Sequence, residues 1–252
     1  MDSLFLLQFA CCIFMLLNAG FVAVFHLHVR WENERYERSR WMLVASMIGL
    51  AIQYMMQMFF GFRAVDDGLG AVINILIYTP CFSLISMGIY NLETPRTSCR
   101  KMNWVCGGIY AVILLVFCVS IYLHQSLFIR EGLYLMLALF GGSVVYCISM
   151  IMREILRRRK MLETMTATDM LPYVRFSHAS VFILLLASLI MPVAILSTSL
   201  LFIVGPLALL AVLFFNLTFV ALGCSYIPTD ELLDAEVESS GVVNGRNELW
   251  GN

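Results

Sequence analysis

The chain has 252 residues, of which 61% are hydrophobic and 13% charged. Its mean hydropathy is +0.86. A soluble domain is about half apolar and about a quarter charged, so a water-facing globule is excluded and the main solvent is lipid. The net charge of −1 excludes no partner, because what matters is where the charges lie.

Apolar stretches of roughly 20 residues mark bilayer-crossing helices. Seven occur, at 4–27, 41–62, 71–91, 103–123, 133–152, 178–197 and 200–222. The predicted fold class is an all-α membrane protein, a bundle of seven transmembrane helices. It occupies residues 1–225 and is followed by a tail over 226–252. The weakest division is "STSL" at 197–200, with Gly205 and Pro206 just beyond; a re-entrant segment there would leave six spans.

The first span follows only "MDS", with no basic n-region, and is too long for a signal-peptide core. It reads as a retained helix. The 28–40 loop after it carries Arg30, Arg35, Arg38 and Arg40. On helix 2, Ser46, Gln53 and Gln57 share one face. A short loop, "RAVDDGLG", leads to helix 3, where Asn74 and Tyr78 lie one turn apart. Thr79, Ser83, Ser86 and Tyr90 form a neighbouring stripe, and Pro80 between them is expected to free a backbone carbonyl. Asn18 is isolated on helix 1, Tyr146 and Ser149 share a face of helix 5, and Asn216 lies on helix 7.

Loop charges give an orientation. The loops after helices 1, 3 and 5 hold 13 of the 16 Lys and Arg residues, five of them in "REILRRRK" at 153–160. The opposite side has only Arg63 and Arg130, and Arg246 is in the tail. Cytoplasmic loops retain basic residues, so the N-terminus is expected outside and the C-terminus in the cytoplasm. Glu154–Arg158 and Arg159–Glu163 are i,i+4 pairs that would extend helix 5 into water.

No Asp, Glu, Lys or Arg falls in the middle of a span. Ion pumps and coupled transporters place ionisable groups there, intramembrane aspartyl chemistry needs a carboxylate pair, and a retinal pigment needs a buried Lys. All three classes drop out. His26, His28 and His178 share a membrane side but are scattered, so no metal site is expected. None of the eight cysteines lies in an outer loop and there is no CxxC. The expectation is a protein that is not an enzyme and has no cofactor.

The uncharged polar groups have two readings. As interhelical glue they are worth about 0.6–2 kcal/mol each. As a site, Gln53, Gln57, Asn74 and Tyr78 would line a pocket opening outward below Asp66 and Asp67, suited to a small polar or cationic ligand. The tail, "SYIPTDELLDAEVESSGVVNGRNELWGN", has six acidic residues against one basic and reads as a linker, disordered beyond Ser239.

The stretch "RSRWMLVASMIGLAIQYMMQMFFGFRAVDDGLGAVINILIYTPCFSLISMGIYNLETPR" resembles the membrane half of a family of Bacteroidota regulators. Those proteins join a multi-helix membrane module to a cytoplasmic AraC-type helix-turn-helix domain. "YIPTDELLDAE" resembles the juncture with the soluble part. The resemblance implies a sensory module of a bacterial inner membrane that passes a small-molecule or membrane signal to a transcriptional output, with the lipid bilayer and a homodimer among its partners. The helix-turn-helix residues are not in this chain, so direct nucleic-acid binding by it is not expected. A seven-helix small-solute transporter is the alternative, though helices 1–3 and 5–7 show no self-similarity.

Overall fold

A computed structural model describes residues 3–24, 34–93, 96–124, 130–165, 171–195 and 198–223. The tail over 226–252 and His26 and His28 lie outside the described residues. Every element described is helical: α1 Ser3–Val24, α2 Glu34–Phe60, α3 Phe62–Val65, α4 Asp67–Glu93, α5 Arg96–His124, α6 Arg130–Met165, α7 Leu171–Ile195 and α8 Thr198–Gly223. Seven of them, all but the single turn α3, are long and apolar enough to cross a membrane. The expected division near residue 197 is present, since α7 ends at Ile195 and α8 begins at Thr198.

Several helices run past the apolar spans read from sequence. α2 starts seven residues before Trp41, and α6 continues thirteen residues beyond Met152. Hydropathy marks what lipid requires, whereas helices continue as long as backbone hydrogen bonding and local propensity allow. On the extension of α6, Glu154 pairs with Arg157 at 3.6 Å, one residue short of the expected partner Arg158. The side chains of Arg158, Arg159 and Glu163 lie outside the described residues.

The expected loop between α2 and α4 is mostly capping structure. Gly61 adopts a left-handed conformation (φ 58°), which glycine enters without a Cβ penalty, and its N–H donates to the Gln57 carbonyl at 3.0 Å. After the turn of α3, the Asp66 carboxylate accepts the Leu69 N–H at 3.0 Å. It is therefore the N-cap of α4, satisfying one of the donors a helix start leaves over.

Six of the long helices pack in a closed ring, in the order α1, α2, α4, α6, α7, α8 and back to α1. α5 stands outside it, against α4 and α6. Burial follows this plan. The span of α4 is 56% buried and that of α5 only 11%. Trp104, Leu115 and Tyr122 on α5 are exposed, as a lipid-facing helix requires.

The α2–α4 pair has a constant register. A Cβ on Gly88 would lie 3.3 Å from the Ser39 carbonyl oxygen. The Ser46 hydroxyl donates to the Cys81 carbonyl at 3.0 Å, and Gln53 meets Asn74. Each step advances seven residues on α2 and retreats seven on α4, so the helices are antiparallel with a heptad seam. A seven-residue seam implies left-handed crossing. Gly49 and Gly88 permit the close approach; a Cβ on Gly49 would come within 2.7 Å of Cys81 Sγ.

Candidate functional site

The sequence-predicted polar face of α2 does meet the predicted polar residues of α4. Asn74 Oδ1 accepts two hydrogen bonds, from Gln53 Nε2 at 2.5 Å and from Gln57 Nε2 at 3.0 Å. All three residues are buried, and Gln53 Oε1 and Gln57 Oε1 have no hydrogen-bond partner. The structure thus brings Gln53, Gln57 and Asn74 together as one node in the helix seam. Asp66 stands at the head of α4 as its cap, and Asp67, exposed, begins that helix.

Tyr78, one turn beyond Asn74, turns a different way. With Tyr54 of α2 it lines a cavity of about 80 Å³ inside the ring. Every ring helix contributes to the walls: Met15 from α1, Leu50 from α2, Phe82 from α4, Phe140 from α6, Leu184 from α7 and Ala208 from α8 are among them. No residue of α5 takes part. One water needs roughly 10–15 Å³ of such space, so several waters or a small organic group would fit.

The cavity wall is almost wholly apolar. Its polar groups are the two tyrosines and Ser188, and the Ser188 hydroxyl is already donating to the Leu184 carbonyl at 2.8 Å. Tyr54 also interacts with Tyr78 and with Cys11 of α1, so a short polar chain crosses three helices at one end of the space. Pocket walls of this kind, mostly hydrophobic with a few placed polar groups, bind small molecules by shape and orient them by hydrogen bonding.

Three of the wall helices carry an interior proline: Pro80 in α4, Pro192 in α7 and Pro206 in α8. Pro192 and Pro206 directly follow the lining residues Met191 and Gly205. Each proline removes one backbone donor and so leaves a carbonyl without its helical partner. Next to the carbonyl freed by Pro80, the Thr79 hydroxyl donates to the Ile75 carbonyl at 2.6 Å.

Other polar residues are absorbed by packing. Asn18, isolated in sequence, accepts a hydrogen bond from Asn216 Nδ2 at 3.0 Å and donates to the Phe14 carbonyl at 2.8 Å. That pair joins α1 to α8 and helps close the ring. At the basic end, the Tyr36 hydroxyl donates to the Phe219 carbonyl at 2.9 Å, with the two rings stacked at 4.8 Å. The buried Arg40 donates to the Ala23 carbonyl at 3.3 Å and pairs with Glu37 at 2.6 Å.

Sequence reasoning missed the cavity and most of its lining, because apolar residues at a helix crossing have no pattern that separates cavity walls from core. Tyr54 had a usable signal: it follows Gln53 on a face rich in polar groups. Among the described residues, no group of three or more His, Cys, Asp or Glu could hold a metal ion. No family model matches the sequence, and no curated protein or solved structure matches it.

Proposed function

We propose that the chain is a membrane sensory module that holds a small signal molecule in the central cavity and reports it along the ring helices to a cytoplasmic output. The observation that carries this reading is a cavity touched by all six ring helices. A ligand there contacts all six ring helices, so its differential affinity for two arrangements of the ring can shift the balance between them. The prolines beside the wall supply places where α4, α7 and α8 can bend.

The ligand class follows from the wall. It is a small, largely apolar molecule with one hydrogen-bonding group to meet Tyr54 and Tyr78, in place of the small polar or cationic ligand read from the amides and loop aspartates. The Gln53–Asn74–Gln57 node braces the wall behind Tyr78. The excess of basic residues in the loops after α1, α4 and α6 supports an N-terminus outside and a C-terminus inside a bacterial cytoplasmic membrane. The resemblance to AraC-type regulators supplies transcription as the output, through a helix-turn-helix domain outside these residues.

The test uses the chain in nanodiscs and small amphiphiles as probes: phenol, 1-hexanol and hexanoic acid. A probe at one hundred times its dissociation constant stabilises a protein by about 2.7 kcal/mol, which a thermal melt resolves. Ala208→Leu, which fills the space, should abolish the shift, and Tyr78→Phe should weaken it. An unchanged shift in Ala208→Leu, or none with any probe in the wild type, overturns the cavity reading. Reporter fusions after Asn252, active only in cytoplasm or only in periplasm, test the orientation separately. A solute carrier is the second reading, favoured by the same three prolines; probe flux across proteoliposomes would select it.

A further inference from the structure

Outside the cavity, at the contact of α5 with α6, Cys106 and Cys147 lie with their sulfurs 3.7 Å apart. Both are buried, at 2% and 0% exposure. Cys106 is six residues from Arg100 on α5, and Cys147 is six from Arg153 on α6. Both therefore sit about 9 Å from the charged end of their spans, at matched depth.

Three hydroxyls surround the pair. Ser83 of α4 lies beside Cys106, and Ser86 of α4 and Ser143 of α6 lie beside Cys147. Their oxygens are buried, and each hydroxyl is within hydrogen-bonding reach of its thiol. A thiol is a weak acceptor, so hydroxyl donors buried beside it are only partly satisfied. They fit a sulfur that acquires negative charge or an oxygen during a reaction, because both states need hydrogen-bond donors. Cys11, Cys12 and Cys81 are also buried and free, but among the described residues it is Cys106 and Cys147 whose thiols come within hydrogen-bonding distance of each other.

We propose that Cys106 and Cys147 are a redox-active dithiol that reduces hydroperoxides and closes to a disulfide joining α5 to α6. The Cys106 thiolate attacks the distal oxygen of the peroxide, the O–O bond breaks, and hydroxide leaves as water after protonation. Cys106 is then a sulfenic acid. The Cys147 sulfur attacks it, the S–O bond breaks, a second water leaves with the remaining thiol proton, and the S–S bond forms. Two thiols and hydrogen peroxide thus become one disulfide and two waters. Closing needs about 1.7 Å of approach from contact to bonding distance, within reach of side-chain rotation and a small shift of α5.

Access is through α5, the least buried of the spanning helices. Beside Cys106, Gly107 and Gly108 are exposed and a Cβ on either would meet nothing within 4 Å. A peroxide is small and uncharged, so it can enter where a charged oxidant could not.

The experiment treats the full chain in nanodiscs with hydrogen peroxide, alkylates remaining thiols and maps them by mass spectrometry. The expected result is a Cys106–Cys147 cross-linked peptide that dithiothreitol reverses. Cys106 should be oxidised at least about tenfold faster than Cys81. In Cys147→Ser, dimedone should trap the sulfenic acid at Cys106, whereas Cys106→Ser should leave Cys147 unlabelled. Ser83→Ala should slow sulfenic acid formation while leaving the melting temperature near that of the wild type. Absence of the cross-link in the wild type, or oxidation of Cys106 no faster than that of Cys81, overturns the proposal whether or not the variants fold.

Discussion

Replacing Asn74 by Leu removes the one oxygen that receives two amide donors, from Gln53 and Gln57. Interhelical hydrogen bonds in membranes are worth about 0.6–1.7 kcal/mol each. Losing two, with both donors left stranded in a seam where all three residues are buried, should cost about 2–3 kcal/mol. Gln53→Leu removes only one bond and also takes away the unpartnered Gln53 Oε1, so it should cost well under half as much. The informative variant is the triple Gln53→Leu/Gln57→Leu/Asn74→Leu. It strands no donor and should be more stable than Asn74→Leu alone, although it carries two more substitutions. Unfolding in mixed micelles with added SDS, followed by circular dichroism, measures all of these. Independent sites add to within about 0.3–0.5 kcal/mol. Additivity at that level, or a triple variant weaker than the single, would show that the three amides do not act as a node.

Gly88→Val should destabilise the bundle by about 1–3 kcal/mol, because its Cβ would press on the Ser39 backbone oxygen at 3.3 Å; a neutral melt refutes the close seam. Gly49→Ala should be destabilising in the same assay and rescued by Cys81→Ala, whose sulfur is the atom a Cβ would meet at 2.7 Å. Tyr36→Phe keeps the stack on Phe219 but loses the hydrogen bond to its carbonyl, and should cost about 1 kcal/mol by chemical unfolding. Spin labels at successive positions from 153 to 163 should show mobility with a 3.6-residue period, since α6 continues to Met165; uniform fast motion would show coil.

Sequence alone determined the solvent and the span number, because both are summed properties. A run of about 20 apolar residues has no other stable home than lipid, and local errors of a few residues do not change the count. It also placed Ser46, Gln53 and Gln57 on one face of α2, since helical periodicity is local. Tertiary structure decided what those faces meet. Asn18 and Asn216 are separated by almost the whole chain, yet hydrogen-bond each other. Ser83 and Ser86, which looked like part of one stripe with Thr79, face the cysteine pair of α5 and α6, while Thr79 turns to its own backbone. That Asp66 caps α4 was also decided by the fold, through its hydrogen bond from the Leu69 N–H. The ring order, the exclusion of α5 from it and the cavity within all depend on which apolar surfaces choose one another. Lipid is as apolar as a leucine face, so hydrophobicity cannot make that choice; shape, glycine contacts and a few buried polar pairs do.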